Sequence, residues 1–148
     1  MLSPNADQFR IWLHVIAACV WIGGQIALAA VVPVLRRVAD PTTLQAVARQ
    51  FQRVAWPAFV VLVLTGMWNL VEVRVADQSG PYLGSVFVKL VFVALSGAGA
   101  AAHALATGPA VAAATDELSR HRRQMVSGIT AGLGLLFALA AAFVGVQL

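Results

Sequence analysis

Residues 12–37, WLHVIAACVWIGGQIALAAVVPVLRR, form a long apolar run that ends in two arginines. The run exceeds the roughly 18–20 residues that cross about 30 Å of hydrocarbon as an α-helix. It therefore predicts a transmembrane helix. One residue stands out in it: His14 is an ionisable ring close to one end. Ionisable groups inside a membrane span are costly, which makes His14 a candidate for function.

Three further apolar runs follow, and the composition agrees with them. The 148 residues are 60% hydrophobic and 11% charged, whereas soluble domains are about half apolar and a quarter charged. Residues 1–9 contain no Lys or Arg, so we expect a retained first span rather than a cleaved signal peptide. The sequence predicts an all-α, integral membrane four-helix bundle in a single domain, 1–148, with spans at about 11–35, 54–71, 83–106 and 125–146.

Arginines are concentrated on one side of the predicted helices. The loops after the first and third spans hold seven of them: Arg36, Arg37, Arg49, Arg53, Arg120, Arg122 and Arg123. The opposite side has only Arg10 and Arg74. Because basic loops stay in the cytoplasm, both termini are predicted to lie outside. The net charge of +4 is explained by this topology, and no nucleic-acid partner is expected.

Local signals refine the regions between the spans. Asp40-Pro41 predicts a helix start, with an N-cap followed by Pro at the first helical position. Residues 41–55 predict an amphipathic cytoplasmic helix that leads into the second span. Gly108-Pro109 predicts an interruption of the third helix near the inner face, followed by a helical extension into the cytoplasm.

Small residues in the spans predict helix contacts, because helices in lipid associate by close packing. The GxxxG sequence GITAG, residues 128–132, fits a contact inside one bundle or the seam of a homodimer. The partners considered are therefore the lipid bilayer, a second copy and a larger membrane complex.

Polar residues in the spans fall on helical faces and at definable depths. His14 lies about one turn below the predicted outer surface, on the face that also carries Trp21 and Gln25. Asn69 and Glu72 lie near the outer end of the second helix, and Lys89 lies one to two turns into the third. His14, Asn69, Glu72 and Lys89 are therefore predicted to form a polar site near the outer face.

His103 lies at another depth. It follows Lys89 by fourteen residues, which is about 21 Å along a helix. A haem held by both His14 and His103 is therefore disfavoured, and His103 is assigned the role of an inner relay.

Structural interpretations stay open beside these functional ones. His14 fits an interfacial hydrogen-bonded ring, His103 a packed neutral ring, and Lys89 a side chain that snorkels to the surface. Glu72 fits a residue at the water boundary that pairs with Arg74 or Lys89. The single cysteine, Cys19, and Met67 are soft copper ligands, but each lies on a different face from the polar stripe of its own helix.

The first helix resembles that of the CopD (copper resistance D) domain family of bacterial membrane proteins. The matching features are Leu13-His14, Trp21, Gly23-Gly24, Pro33 and Arg36-Arg37. Later features are similar too: Leu-Thr-Gly at 64–66, VKL at 88–90 and SRHRRQ at 119–124. The resemblance implies a four-helix, multi-pass protein of the bacterial inner membrane that is linked to copper. It assigns copper uptake or handling from the outer side, with His14 as the metal ligand.

A weaker resemblance points to HemJ-type protoporphyrinogen oxidases. His14 and Lys89 match the first-helix histidine and third-helix lysine of that family. This resemblance implies haem b, with His14 as axial ligand and Lys89 near a propionate. A third hypothesis is a non-catalytic membrane subunit or scaffold. No catalytic residue is assigned, and we expect a protein that is not an enzyme unless the haem hypothesis applies.

Overall fold

The structure is a computed structural model that describes residues 5–106 and 117–148. Within those residues it contains four α-helices and no strand: α1 (Ala6–Val38), α2 (Pro41–Glu72), α3 (Gly80–Ala106) and α4 (Glu117–Val146). A 3-10 turn, Val75–Asp77, follows α2. All four helices are long and apolar enough to cross a membrane. The all-α membrane fold is therefore confirmed, while the side on which the termini lie stays a prediction.

The start of α2 forms as its sequence predicts. The Asp40 side chain accepts hydrogen bonds from the backbone N–H groups of Thr42 and Thr43, and Pro41 is the first helical residue. The hydroxyl of Thr42 also donates to Asp40 and is the largest cause of a lowered pKa of this carboxyl. The predicted amphipathic helix and the second span are one continuous helix of 32 residues that passes through Pro57.

The first hairpin consists of α1 and α2, within residues Met1–Gln78. Its best-buried large side chain is Trp21, which is 3% exposed. The Trp21 ring lies 4.4 Å from that of Phe59 and 5.9 Å from that of Trp56, centroid to centroid. Gly24 lets the Phe51 ring approach α1, because an added Cβ would lie 2.6 Å from it. This aromatic packing aligns the two helices below His14.

The second hairpin consists of α3 and α4, within residues Ser79–Leu148. The backbones of the two helices approach closely at Gly99, where a Cβ would lie 3.0 Å from Cα of Gly134. The glycines of GITAG do not make this contact, since a Cβ at Gly128 or Gly132 would meet nothing within 4 Å among the described residues. The predicted role of the GITAG glycines, in a bundle contact or in a homodimer seam, stays a prediction. The α4 face that meets α3 carries Gly134.

The link between α3 and α4 is described only in part. Gly108-Pro109 and the first part of the predicted helical extension, residues 111–116, lie outside the described residues. The rest of the extension is helical, since α4 begins at Glu117 and includes the arginine-rich residues 119–124.

Candidate functional site

His14 is part-buried in the first hairpin and faces α2. Its Nδ1 lies 2.8 Å from Oγ1 of Thr65. Thr65 is itself buried, with 4% of its surface exposed. The contact ties the ionisable ring of α1 to a hydroxyl of α2.

The direction of this hydrogen bond follows from the other contacts of Thr65. Its hydroxyl lies 2.7 Å from the carbonyl oxygen of Val61 and 3.2 Å from that of Leu62. Carbonyl oxygens only accept, so the single hydroxyl proton is donated to the α2 backbone. Oγ1 then offers a lone pair to the ring, and Nδ1 of His14 is the donor. In the neutral ring, the lone pair is consequently on Nε2.

Gly66 provides room for the same ring. A Cβ at this position would lie 3.3 Å from Cε1 of His14, closer than most side chains approach one another. Thr65 and Gly66 together position the imidazole of His14. Thr65 accepts a hydrogen bond from the ring, and Gly66 leaves space for its Cε1 edge.

Arg10 lies one helical turn before His14 and is the functional candidate that sequence reasoning missed. It is 6% exposed and lies close to two carboxylates, at 3.3 Å from Asp7 and 3.6 Å from Glu72. Its guanidinium carbon is 5.8 Å from the centre of the Trp68 ring. The sequence reading used Arg10 only for topology, although its spacing of four residues from His14 places both on one face.

Glu72 belongs to this arginine cluster. The indole N–H of Trp68 donates to its carboxylate over 3.0 Å, and the ion pair shown for Glu72 within its hairpin is with Arg10. Of the two partners considered for Glu72, Arg74 is not the one that the structure shows, because the first turns of α1 bring Arg10 to the end of α2. A pairing with Lys89 stays a prediction. Asn69 is half-buried on the same helix.

Lys89 lies in the second hairpin beside the last turn of α4. A Cβ at Gly145 would be 2.9 Å from its Nζ, so the absence of a side chain there leaves space for the ammonium group. The carboxyl end of a helix carries partial negative charge, which favours a cation at this place. This gives Lys89 an electrostatic role in its own hairpin. Its predicted place in a site with His14 stays a prediction.

His103 is also tied to the neighbouring helix of its hairpin. Its Nδ1 lies 2.8 Å from the carbonyl oxygen of Ser127 and 3.0 Å from the hydroxyl of the same residue. Because the carbonyl can only accept, Nδ1 carries the proton here as well. Ser127 is 4% exposed. The geometry agrees with a packed, hydrogen-bonded ring and leaves the relay role a prediction.

The donor set for a metal is small. Among the described residues, no group of three or more His, Cys, Asp or Glu side chains could hold a metal ion. Cys19 and Met67 are both exposed, as their helical positions predict. The role of His14 as a metal ligand stays a prediction.

The four long apolar helices define a multi-pass α-helical membrane protein. The sequence profile of the family described as copper resistance protein D matches residues 45–146. The match covers more than half of the chain, which therefore belongs to the CopD family. It includes Thr65, Lys89 and His103 but begins after α1, so His14 lies outside it. No curated protein and no solved structure matches the chain.

Proposed function

We propose that this copper-resistance-related membrane protein takes up or handles copper as cargo, with His14 as a copper contact near the outer face. Membership of the CopD family supports the link to copper. The observation that carries the residue assignment is the contact of His14 with Thr65, which directs the Nδ1 proton into the hairpin. Nε2 is then the nitrogen that binds a metal ion. We place the protein in the bacterial inner membrane.

The charges next to His14 are compatible with a cationic cargo. Asp7 and Glu72 each keep roughly half or more of their side chains exposed, at 62% and 49%. Arg10 compensates one of these two negative charges, so the cluster keeps a net charge of −1. Carboxylates that remain accessible attract a cation and raise its concentration near the histidine. Arg10 holds Glu72 at the end of α2, and in this proposal Asn69 adds an amide to the same region.

Lys89 and His103 have secondary roles in this proposal. Lys89 acts through its charge and not as a ligand while it is protonated. His103 provides a second, inner contact for the ion, again through Nε2, because Ser127 holds the proton on Nδ1. A second copy of the chain or a partner protein would complete the coordination that a single histidine leaves open.

Copper titration of the purified protein in nanodiscs tests the role of His14. We expect wild type to bind copper and His14→Ala to bind it at least tenfold more weakly. His121→Ala, which removes a histidine from the arginine-rich start of α4, is the matched control and should bind like wild type. Equal binding by wild type and His14→Ala would exclude His14 as a copper contact.

An absorption spectrum of the same sample separates copper from haem. Protein made with an adequate haem supply should show no Soret band if copper is the cargo. A Soret band that disappears in His14→Ala would instead support the haem-dependent oxidoreductase, with Lys89 near a propionate. Full function of the His14, Glu72 and Lys89 alanine variants in the native host would support a scaffold.

A further inference from the structure

The pair Thr65-Gly66 is a candidate for controlling how His14 binds a metal ion. A free imidazole exchanges its proton between Nδ1 and Nε2, so either nitrogen can serve as a ligand. In proteins, the hydrogen bond made by one nitrogen decides which tautomer is present and orients the ring. The relevant question for His14 is therefore what its Nδ1 contacts.

The contact is a chain of two hydrogen bonds that runs into the backbone of α2. Nδ1–H of His14 donates to Oγ1 of Thr65, and the Thr65 hydroxyl donates to the carbonyl of Val61, over 2.8 Å and 2.7 Å. Reversing the first bond would require the hydroxyl to turn away from both backbone carbonyls that it contacts. Thr65 is 4% exposed, so water has little access to replace the lost partners.

The position of the ring is restricted as well as its proton. Cε1 lies between the two ring nitrogens and is the atom that faces Gly66, where an added Cβ would approach it to 3.3 Å. The Cε1 edge of the ring can therefore approach α2 while Nδ1 contacts Thr65. Nε2 lies on the far side of Cε1 from Nδ1 and carries the lone pair when Nδ1 is protonated.

We propose that Thr65 is a positioning residue that holds His14 as the Nδ1–H tautomer and so selects Nε2 as the metal-binding nitrogen. The selection of a copper-binding nitrogen rests on the proposed function, whereas the assignment of the tautomer does not. Thr65 acts through the histidine and does not touch the ion. Loss of such a supporting hydrogen bond typically lowers metal affinity about 10–100-fold.

The matched variants are Thr65→Val, which removes the hydroxyl, and Thr65→Ser, which keeps it. Thr130→Val is the control, because the Thr130 hydroxyl also donates to helix carbonyls, those of Val126 and Ser127. Nitrogen-15 NMR of histidine-labelled protein in nanodiscs reads the protonation of each ring nitrogen directly. The His14 signals are identified by their absence from His14→Ala.

We expect wild type, Thr65→Ser and Thr130→Val to show a protonated Nδ1 and an unprotonated Nε2 at His14. Thr65→Val should show both tautomers, and its copper affinity should fall about 10–100-fold while Thr65→Ser stays close to wild type. A wild-type spectrum with the proton on Nε2, or an unchanged tautomer in Thr65→Val, would overturn the proposal.

The two readouts also separate this proposal from the function on which its copper part rests. If wild type binds no copper and Thr65→Val still releases the tautomer, the copper function fails and the positioning role stands. If copper binds to wild type and to Thr65→Val with the same affinity, the copper function stands and selection of Nε2 by Thr65 is refuted.

Discussion

Gly99→Ala tests whether the second hairpin depends on the direct approach of two backbones. The new Cβ would lie 3.0 Å from Cα of Gly134, 3.1 Å from its N and 3.1 Å from the carbonyl oxygen of Thr130. All three neighbours are backbone atoms, which cannot rotate away as the end of a side chain can. The helices α3 and α4 must therefore separate locally, with loss of the dispersion contacts on which association in lipid depends.

The size of the effect follows from two opposing contributions. An additional carbon in a tightly packed contact costs about 1–3 kcal/mol. Replacing Gly by Ala stabilises a helix by up to about 1 kcal/mol, because Ala has the higher helix propensity. Gly132→Ala is the matched control, because a Cβ there meets no atom within 4 Å among the described residues. Its change should be neutral or stabilising, so we expect the two variants to differ by about 2 kcal/mol.

Unfolding in mixed micelles with increasing sodium dodecyl sulfate measures this difference. The signal should be far-UV circular dichroism, because all four tryptophans lie in the first hairpin and their fluorescence would not follow α3 and α4. A difference of about 2 kcal/mol corresponds to roughly 30-fold in the ratio of folded to unfolded protein. If Gly132→Ala destabilised the protein as much as Gly99→Ala, the assignment of the close contact to Gly99 and Gly134 would be wrong.

Two further predictions concern the first hairpin and its connection. Trp21→Ala should lower the free energy of unfolding by about 3–5 kcal/mol, since Trp21 is 3% exposed. Trp12→Ala should have a small effect, because Trp12 is 55% exposed. Similar values for the two variants in the same micelle titration would contradict the aromatic core around Trp21. Asp40, whose pKa is lowered chiefly by the hydrogen bond from the Thr42 hydroxyl, should stabilise the start of α2 fully above its unfolded pKa of about 3.9 and lose that contribution as the pH falls through the lower folded pKa. The protection of the Thr42 and Thr43 amides, relative to their intrinsic exchange rate at each pH, should therefore fall at acid pH in wild type and change less with pH in Asp40→Asn. Equal acid dependence of this protection in both proteins would refute the cap.

The sequence predicted the helices well because their signals are local. A continuous apolar run of membrane-spanning length has few alternatives to a helix, since lipid offers no partners to an open backbone. The N-cap at Asp40 and the ends of α2 were readable for the same reason. It was harder to predict that residues 41–55 and the second span form one continuous helix. The two parts differ in composition but not in backbone conformation.

Helix contacts were harder to predict. GITAG has the spacing of a packing motif, yet the close contact uses Gly99 and Gly134. Each glycine-bearing face can serve as a contact on its own, and the choice depends on the shape of the opposite helix. Side-chain partners show the same limit: His14 was recognised by its rarity, but its contact with Thr65 and the burial of Arg10 depend on how α1 and α2 meet.

The sequence by itself determined that this is an all-α membrane protein, and it identified His14 as an unusual residue in the first helix. Apolar length and the cost of an ionisable group in lipid are properties of a single helix, so one chain is enough to show them. Only the tertiary structure decided that Nδ1 of His14 meets the hydroxyl of Thr65 and that Arg10 lies beside Glu72. Hydrogen bonds and ion pairs between helices depend on their rotation and depth to within about an ångström, and residue spacing along one helix does not contain that information.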